Sequence, residues 1–147
     1  MMLLKPYRVL DITQTRGMLC AQILGDLGAD VIQVEPVGGS EGRNIGPFVE
    51  SAAKGENSLS WWGYARGKRS IELDLATQRE EFLALVKRAD FFIESEPVGS
   101  LYSQGLGYEQ LHELNPMLIQ VSITPYGLSG PKSSWVASDL TLMASAG

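Results

Sequence analysis

The residues whose types could do chemistry gather after short β-rich runs. Asp11-Ile12-Thr13-Gln14-Thr15-Arg16-Gly17 follows Tyr7-Arg8-Val9-Leu10 and precedes an apolar helical pattern. A strand-to-helix turn of this kind offers free backbone N–H groups to an anion, and Arg16 adds positive charge beside them. A dinucleotide fingerprint needs the spacing G-x-G-x-x-G. Only Gly17 is present, so NAD binding is not expected, although Glu35 ends a β-rich run where a ribose-binding acid would stand. Asp11 reads as a general base or, preferably, as a turn residue that accepts from nearby backbone N–H groups. Arg66-Gly67-Lys68-Arg69 is the densest basic cluster and reads as a phosphate holder or as a solvated turn. Asp139, next to Ser138 at the start of an apolar helix, reads as part of a helix cap rather than a catalytic acid. The single histidine, His112, is expected at the surface, and the single cysteine, Cys20, as an inert core thiol. No metal-ligand spacing, Cys–His pair, P-loop or nucleophile elbow is present.

These residues need elements to hold them. Cys20, Ile23, Leu24 and Leu27 fall on one face of a helix, with Gly28 as its stop. Val31-Ile32-Gln33-Val34 reads as the next strand, so strand, helix and strand form a βαβ unit with a right-handed crossover. Residues 36 to 60 are rich in Gly, Ser, Pro and charge and read as one long excursion, ending at the aromatic run Trp61-Trp62-Gly63-Tyr64. Ser70-Ile71-Glu72-Leu73, Phe91-Phe92-Ile93 and Leu118 to Ile123 are three further strands. Between them, Thr77-Gln78-Arg79-Glu80 has a capping-box pattern ahead of the helical face Phe82, Leu85, Val86 and Ala89. A short helix from Tyr108 is ended by Asn115-Pro116. Alternating strands and helices predict an α/β, Rossmann-like fold, a mostly parallel sheet with helices on both faces.

The chain of 147 residues is read as a single domain, residues 1–147. It ends inside the apolar helix Leu140 to Ala146, which suggests a piece of something longer. A net charge of −5 argues against nucleic acid as a partner. The start, Met1-Met2-Leu3-Leu4-Lys5-Pro6, is too short for a secretory signal, and no run is long enough for a membrane span. With a lone cysteine, this fits a reducing cytoplasm.

The order of segments carries a further signal. Arg8-Val9-Leu10-Asp11-Ile12-Thr13 and Leu24-Gly25-Asp26-Leu27-Gly28-Ala29-Asp30-Val31-Ile32-Gln33-Val34-Glu35-Pro36 resemble the opening of class III CoA-transferases, the CaiB/BaiF type. Gly67-Lys68-Arg69-Ser70-Ile71-Glu72-Leu73-Asp74-Leu75 resembles the family's "NKRSxxLDL" stretch. Ala89-Asp90, Gly105-Leu106-Gly107-Tyr108, Leu114-Asn115-Pro116 and Gly127-Leu128-Ser129-Gly130-Pro131 follow in family order.

The resemblance implies coenzyme A or acyl-CoA as substrate, a small carboxylic acid as partner substrate, no metal, and an interlocked homodimer. It implies CoA contacts from Gln14, Arg16 and Gly17, from Leu73, Asp74 and Ala76, and from the turn at Ser95 and Glu96. It places the nucleophilic aspartate beyond this chain, so no catalytic residue is assigned and the chain alone is expected to be inactive. The alternative is a non-catalytic subunit or half-domain that pairs with a catalytic copy. A 2-methylacyl-CoA racemase is disfavoured, because Ser138 stands where that branch carries a histidine. Val37, Ala76 and Ser103 stand where the family often has cations, and Glu96 adds a negative charge, so weak CoA binding is expected. Arg16, Arg43 and Arg66 are the candidates to compensate.

Overall fold

A computed structural model describes residues 3–50, 52, 53 and 55–147. Met1-Met2 of the amino-terminal stretch, and Ser51 and Lys54 of the excursion, lie outside the described residues. The β-branched and aromatic runs form five strands, β1 (Arg8–Asp11), β2 (Asp30–Glu35), β3 (Arg69–Glu72), β4 (Phe91–Glu94) and β5 (Ile119–Ser122). All neighbours are parallel, in the order β3-β2-β1-β4-β5. The chain moves outward from β1 to β3 on one side, then restarts at β4 on the other. This reversal between β1 and β4 is the topological switch point, where open α/β sheets keep their ligands.

Side chains alternate across the sheet. Leu10, Ile32 and Phe92 face a core layer completed by Phe82, Val86, Leu106 and Leu111, which belong to or flank α3 (Arg79–Val86), α4 (Ser100–Ser103) and α5 (Tyr108–Leu114). Val9, Val31 and Ile93 face the other way, toward Ala21 of α1 (Met18–Asp26). Helices therefore cover both faces, as expected. Phe82 meets Phe92 edge-on, with ring centroids 5.6 Å apart, a favourable arrangement of the two ring quadrupoles.

Two local expectations need correction. Of the expected face of α1, Cys20 and Leu24 pack against the core, but Ile23 is 49% and Leu27 40% exposed, while Met18, Ala21 and Gln22 are buried. A Cβ on Gly25 would stand 3.3 Å from Val31 Cγ2. The helix thus rests on the sheet through its small residues Ala21 and Gly25, which rolls Ile23 and Leu27 outward. Cys20 and Leu24 are partly buried, and burial, followed by the charge on Asp11, raises the Cys20 thiol pKa, which keeps it protonated and unreactive. The capping box at Thr77 to Glu80 does not form, since Gln78 is the cap of α3 and makes no capping hydrogen bond. Thr77 Oγ1 instead donates to Asp74 at 2.7 Å, closing a turn one step earlier.

The excursion after β2 is anchored rather than loose. It contains a 3-10 turn, Glu41–Asn44, an antiparallel bridge between Phe48 and Ser58, and α2 (Leu59–Ala65), whose cap is the Ser58 side chain accepting from Trp61 N–H. Trp61 is buried and Trp62 is 45% exposed. The last helix, α6 (Asp139–Ala146), is capped by Ser138 in a box with Thr141 and has no buried residue. Among the described residues, no helix is long and apolar enough to cross a membrane.

Candidate functional site

The first βα turn is fixed from inside. Asp11 is fully buried, and its Oδ1 accepts from the backbone N–H and hydroxyl of Thr13 at 2.9 and 2.7 Å. Its Oδ2 receives Lys68 Nζ at 2.7 Å, with the two side chains 0% and 1% exposed. Lys68 Nζ also donates to Gln33 Oε1 at 3.1 Å, and Gln33 Nε2 donates to the carbonyls of Asp11 and Thr13 at 3.1 and 2.7 Å. A buried ion pair gains little net stability once desolvation is counted, but it holds geometry. Here it ties the entry to β3 to the backbone that presents Gln14 and Arg16. Asp11 is the turn residue expected, not a free base.

A second buried carboxylate organises the next loop. Glu35 is 1% exposed. Arg43 donates to both its oxygens, Nε to Oε2 at 2.6 Å and Nη2 to Oε1 at 2.8 Å, Ser40 N–H adds a bond at 2.8 Å, and Ser70 Oγ donates as well. Burial alone would raise the Glu35 pKa, but these donors outweigh it and hold the carboxyl below its ordinary range. The Arg43 guanidinium lies 4.6 Å from the Trp61 ring centroid, a cation–π contact. A Cβ on Gly42 would meet the Gln14 carbonyl at 2.5 Å and the Trp61 ring at 2.9 Å, so this loop packs directly on the first turn. Glu35 therefore shapes the cleft wall rather than offering a free ribose-binding acid.

The basic cluster at 66 to 69 is neither a phosphate cradle nor a simple solvated turn. Lys68 is buried, Arg66 pairs with Asp26 at 2.7 Å, and Arg69 pairs with Asp30 at 2.7 Å. Burial of Asp30 is outweighed by hydrogen bonds from Arg8 and Arg69, which lower its pKa. Of the three arginines expected to compensate for the missing cations, Arg43 and Arg66 are engaged in ion pairs. Arg16 is exposed and makes no ion pair among the described residues.

The carboxyl ends of the strands enclose a cleft of about 310 Å³ at the switch point. Gln14, Leu73, Asp74, Ala76 and Glu96 line it, together with Ile12, Glu35 and Val37. Leu73 is buried and forms the floor, its N–H donating to the Glu35 carbonyl at 2.9 Å. Asp74 accepts from Ala76 N–H at 3.0 Å, which curls Leu75 and Ala76 over the rim. Hydrogen bonds from Thr77 and Ala76 keep the Asp74 carboxyl below its ordinary pKa. A neighbouring cleft of about 370 Å³ is lined by Arg16, Ser95 and Glu96, with Trp135 and Val136 also on its border. Gly17 lines neither. It starts α1 at φ +90, and a Cβ there would meet Ile123 Cδ1 at 2.6 Å. Seven of the eight residues named from sequence thus border two adjoining clefts, and Gly17 shapes the turn between them. His112 is exposed and stacks on Tyr108, with ring centroids 5.3 Å apart.

Sequence reasoning missed Gln33, Arg43, Lys68 and Ser70 as the site's supports. A signal was present. Gln33 and Glu35 are polar residues in a strand that the fold covers on both sides, and buried polar groups require partners.

The profile of CoA-transferase family III matches residues 4–147. The chain is 39% identical over 143 residues to the succinyl-CoA:(R)-benzylsuccinate CoA-transferase subunit BbsE of Thauera aromatica, covering 96% of this chain and 35% of that one. It is 45% identical over 123 residues to the succinyl-CoA:mesaconate CoA-transferase of Haloarcula hispanica, covering 82% of this chain and 31% of that one. The crystal structure of Rv3272 from M. tuberculosis superposes with a TM-score of 0.86 at 37% identity, covering 98% of this chain and 40% of that one. The chain thus spans about a third of the length of the curated relatives it matches. A parallel sheet with its cleft at the switch point, matched in fold and in sequence along nearly its whole length, belongs to CoA-transferase family III.

Proposed function

We propose that this chain is the CoA-binding, amino-terminal portion of a class III CoA-transferase that moves CoA between carboxylic acids. In this reading an aspartate beyond the chain attacks the acyl-CoA thioester carbonyl. A mixed anhydride forms and CoA thiolate leaves; the thiolate then converts the anhydride to an aspartyl-CoA thioester, releasing the first acid. The incoming acid repeats both steps in reverse. This chain supplies binding and orientation, and the carrying observation is the cleft at the switch point. Gln14, Leu73, Asp74, Ala76 and Glu96 converge there from three different strand ends, where a nucleotide-bearing ligand is expected. The apolar floor of Leu73 and Ile12 suits an uncharged or aromatic portion. Arg16, at the adjoining cleft, is the cation placed to meet a phosphate.

The second reading, a non-catalytic subunit that pairs with a catalytic copy, draws on the lining itself. Among the described residues, the switch-point cleft carries Glu35, Asp74 and Glu96 and no basic residue, which weakens attraction for an anion. A homodimer in the cytoplasm is the assembly and place the first reading implies.

Isothermal titration separates the two. The first reading expects CoA to bind with a Kd of about tens of micromolar to millimolar. It also expects Ala76→Lys to tighten binding about tenfold, the effect of one charge-assisted hydrogen bond to phosphate. The purified chain transfers no CoA between acids. No CoA binding by either protein sinks the first reading. An aspartyl thioester trapped by hydroxylamine on Asp11 or Asp139 sinks the placement of the nucleophile.

A further inference from the structure

Glu96 stands at a junction. It lines the switch-point cleft, the cleft that holds Arg16, and a third cleft of about 580 Å³ between the end of β4 and α5. Among the described residues, no other borders all three. Its backbone N–H donates to Glu94 Oε2 at 2.7 Å, which turns the loop so that the side chain is carried between the clefts. The Glu96 carboxyl itself has no hydrogen-bond or ion-pair partner among the described residues.

The charged and titratable groups around this junction differ in what they can do. From β1, Arg16 lines one cleft only. From β2, Glu35 is held by Arg43, and after β3, Asp74 is bound within its own turn. From β4, Glu94 is buried beside it. Tyr102 of α4 and Tyr108 of α5 complete the third cleft.

We propose that Glu96 is a specificity-determining residue: its carboxylate admits an uncharged, hydrogen-bond-donating stretch of ligand at the junction and holds phosphate away, toward Arg16. The inference rests on the CoA reading above. The neutral stretch of CoA is its pantetheine arm, whose two amide N–H groups are donors that a carboxylate accepts. The phosphates belong at the other end, where the cation is. Burial, and then the charge on Glu94, raise the Glu96 pKa. Its negative charge is therefore lost at a higher pH than for an ordinary glutamate. Repulsion of phosphate falls away as pH decreases through that value.

The test is titration of the 147-residue chain and of Glu96→Gln with CoA and with pantetheine, near pH 5 and near pH 8. Near pH 8, Glu96→Gln is expected to bind CoA about fivefold more tightly than the parent chain, the size of one screened like-charge contact. Near pH 5 the difference is smaller than near pH 8, and pantetheine distinguishes them by less than about twofold at either pH. Ionisation of CoA's own phosphate affects both proteins alike, so the difference between proteins is the readout. Circular dichroism checks that the variant is folded, and Glu96→Ser replaces it if it is not. If both proteins bind CoA equally at both values, the role of Glu96 is overturned and the CoA reading stands. If neither binds CoA, the CoA reading itself has failed, and the proposal with it.

Discussion

At the residue scale, two buried carboxylates set the site, and each makes a distinct prediction. Lys68→Met leaves Asp11 buried without its counter-charge, which is expected to destabilise the chain by about 3–5 kcal/mol in urea unfolding. Adding Asp11→Asn restores part of this, because the amide keeps an acceptor for Thr13 and carries no charge to bury. A strictly additive double mutant would show that the ion pair does not couple the two residues. Glu35 makes a pH prediction. Its folded pKa is lowered from the ordinary 4.5, so its contribution is present above that value and is lost as pH falls through the folded one. Glu35→Gln should cost about 2 kcal/mol near neutral pH and progressively less in acid. A penalty that persists unchanged in acid would mean that the carboxylate charge is not what Arg43 and Ser70 recognise. The turn role of Asp11 was legible from its place after a strand. Its partner was not, because Lys68 lies 57 positions away, and local pattern carries no information about contacts at that range. Arg43 is only 8 positions from Glu35, but an irregular loop without periodicity gives no sign of which side chain turns back onto the strand end.

At the element scale, strand order and helix placement follow from the alternation of β-rich and amphipathic runs, and all five strands were legible within a residue or two. The orientation of α1 was not. Leucine and isoleucine spacing pointed to one face, but close approach favours the small residues Ala21 and Gly25, and a hydrophobic count does not register a glycine as a contact. The turn that presents Gln14 and Arg16 depends on another close approach. Gly17 has φ +90, and a Cβ would meet Ile123 Cδ1 at 2.6 Å and Thr13 Cγ2 at 3.2 Å. Gly17→Ala is therefore both strained in backbone and crowded, and should cost about 2–3 kcal/mol. Since the crowding is against the loop after β5 as well as the first turn, amide exchange is expected to quicken in both segments. A stability loss with no change in exchange around Ile123 would place the damage elsewhere. The excursion over residues 36 to 60 was legible only as irregular. Its order comes from Glu35, Gln14 and Ser58, side chains and carbonyls that the loop's own composition does not encode as a periodic pattern.

At the scale of the whole molecule, the central strands β1, β2 and β4 are covered on both faces, but the edge strand β3 is exposed and the region after β5 is not part of that core. Trp135 is 57%, Val136 97%, Leu140 80% and Met143 74% exposed, and α6 has no buried residue. A helix of eight residues is too short to be stable in water on its own, since nucleation is unfavourable and few hydrogen bonds follow it. Its cap, Ser138 with Thr141, contributes only about 1 kcal/mol. In a monomer of this chain, α6 is therefore expected to exchange its amides within seconds, well ahead of β1 and β4. The same apolar side chains are grouped on one segment, and a contiguous exposed apolar patch favours association. Sedimentation at micromolar concentration should accordingly show self-association. Leu140→Glu combined with Met143→Glu, which leaves the sheet and its cleft untouched, should shift the chain toward monomer with little loss of unfolding free energy. The two measurements constrain each other. If association covers α6, its exchange slows as concentration rises, while the exchange of β1 stays constant. A monodisperse chain whose α6 is nonetheless protected would show that the segment finds its own cover within one chain. Association that survives both substitutions would move the contact to the other apolar surface, around Trp62 and α2.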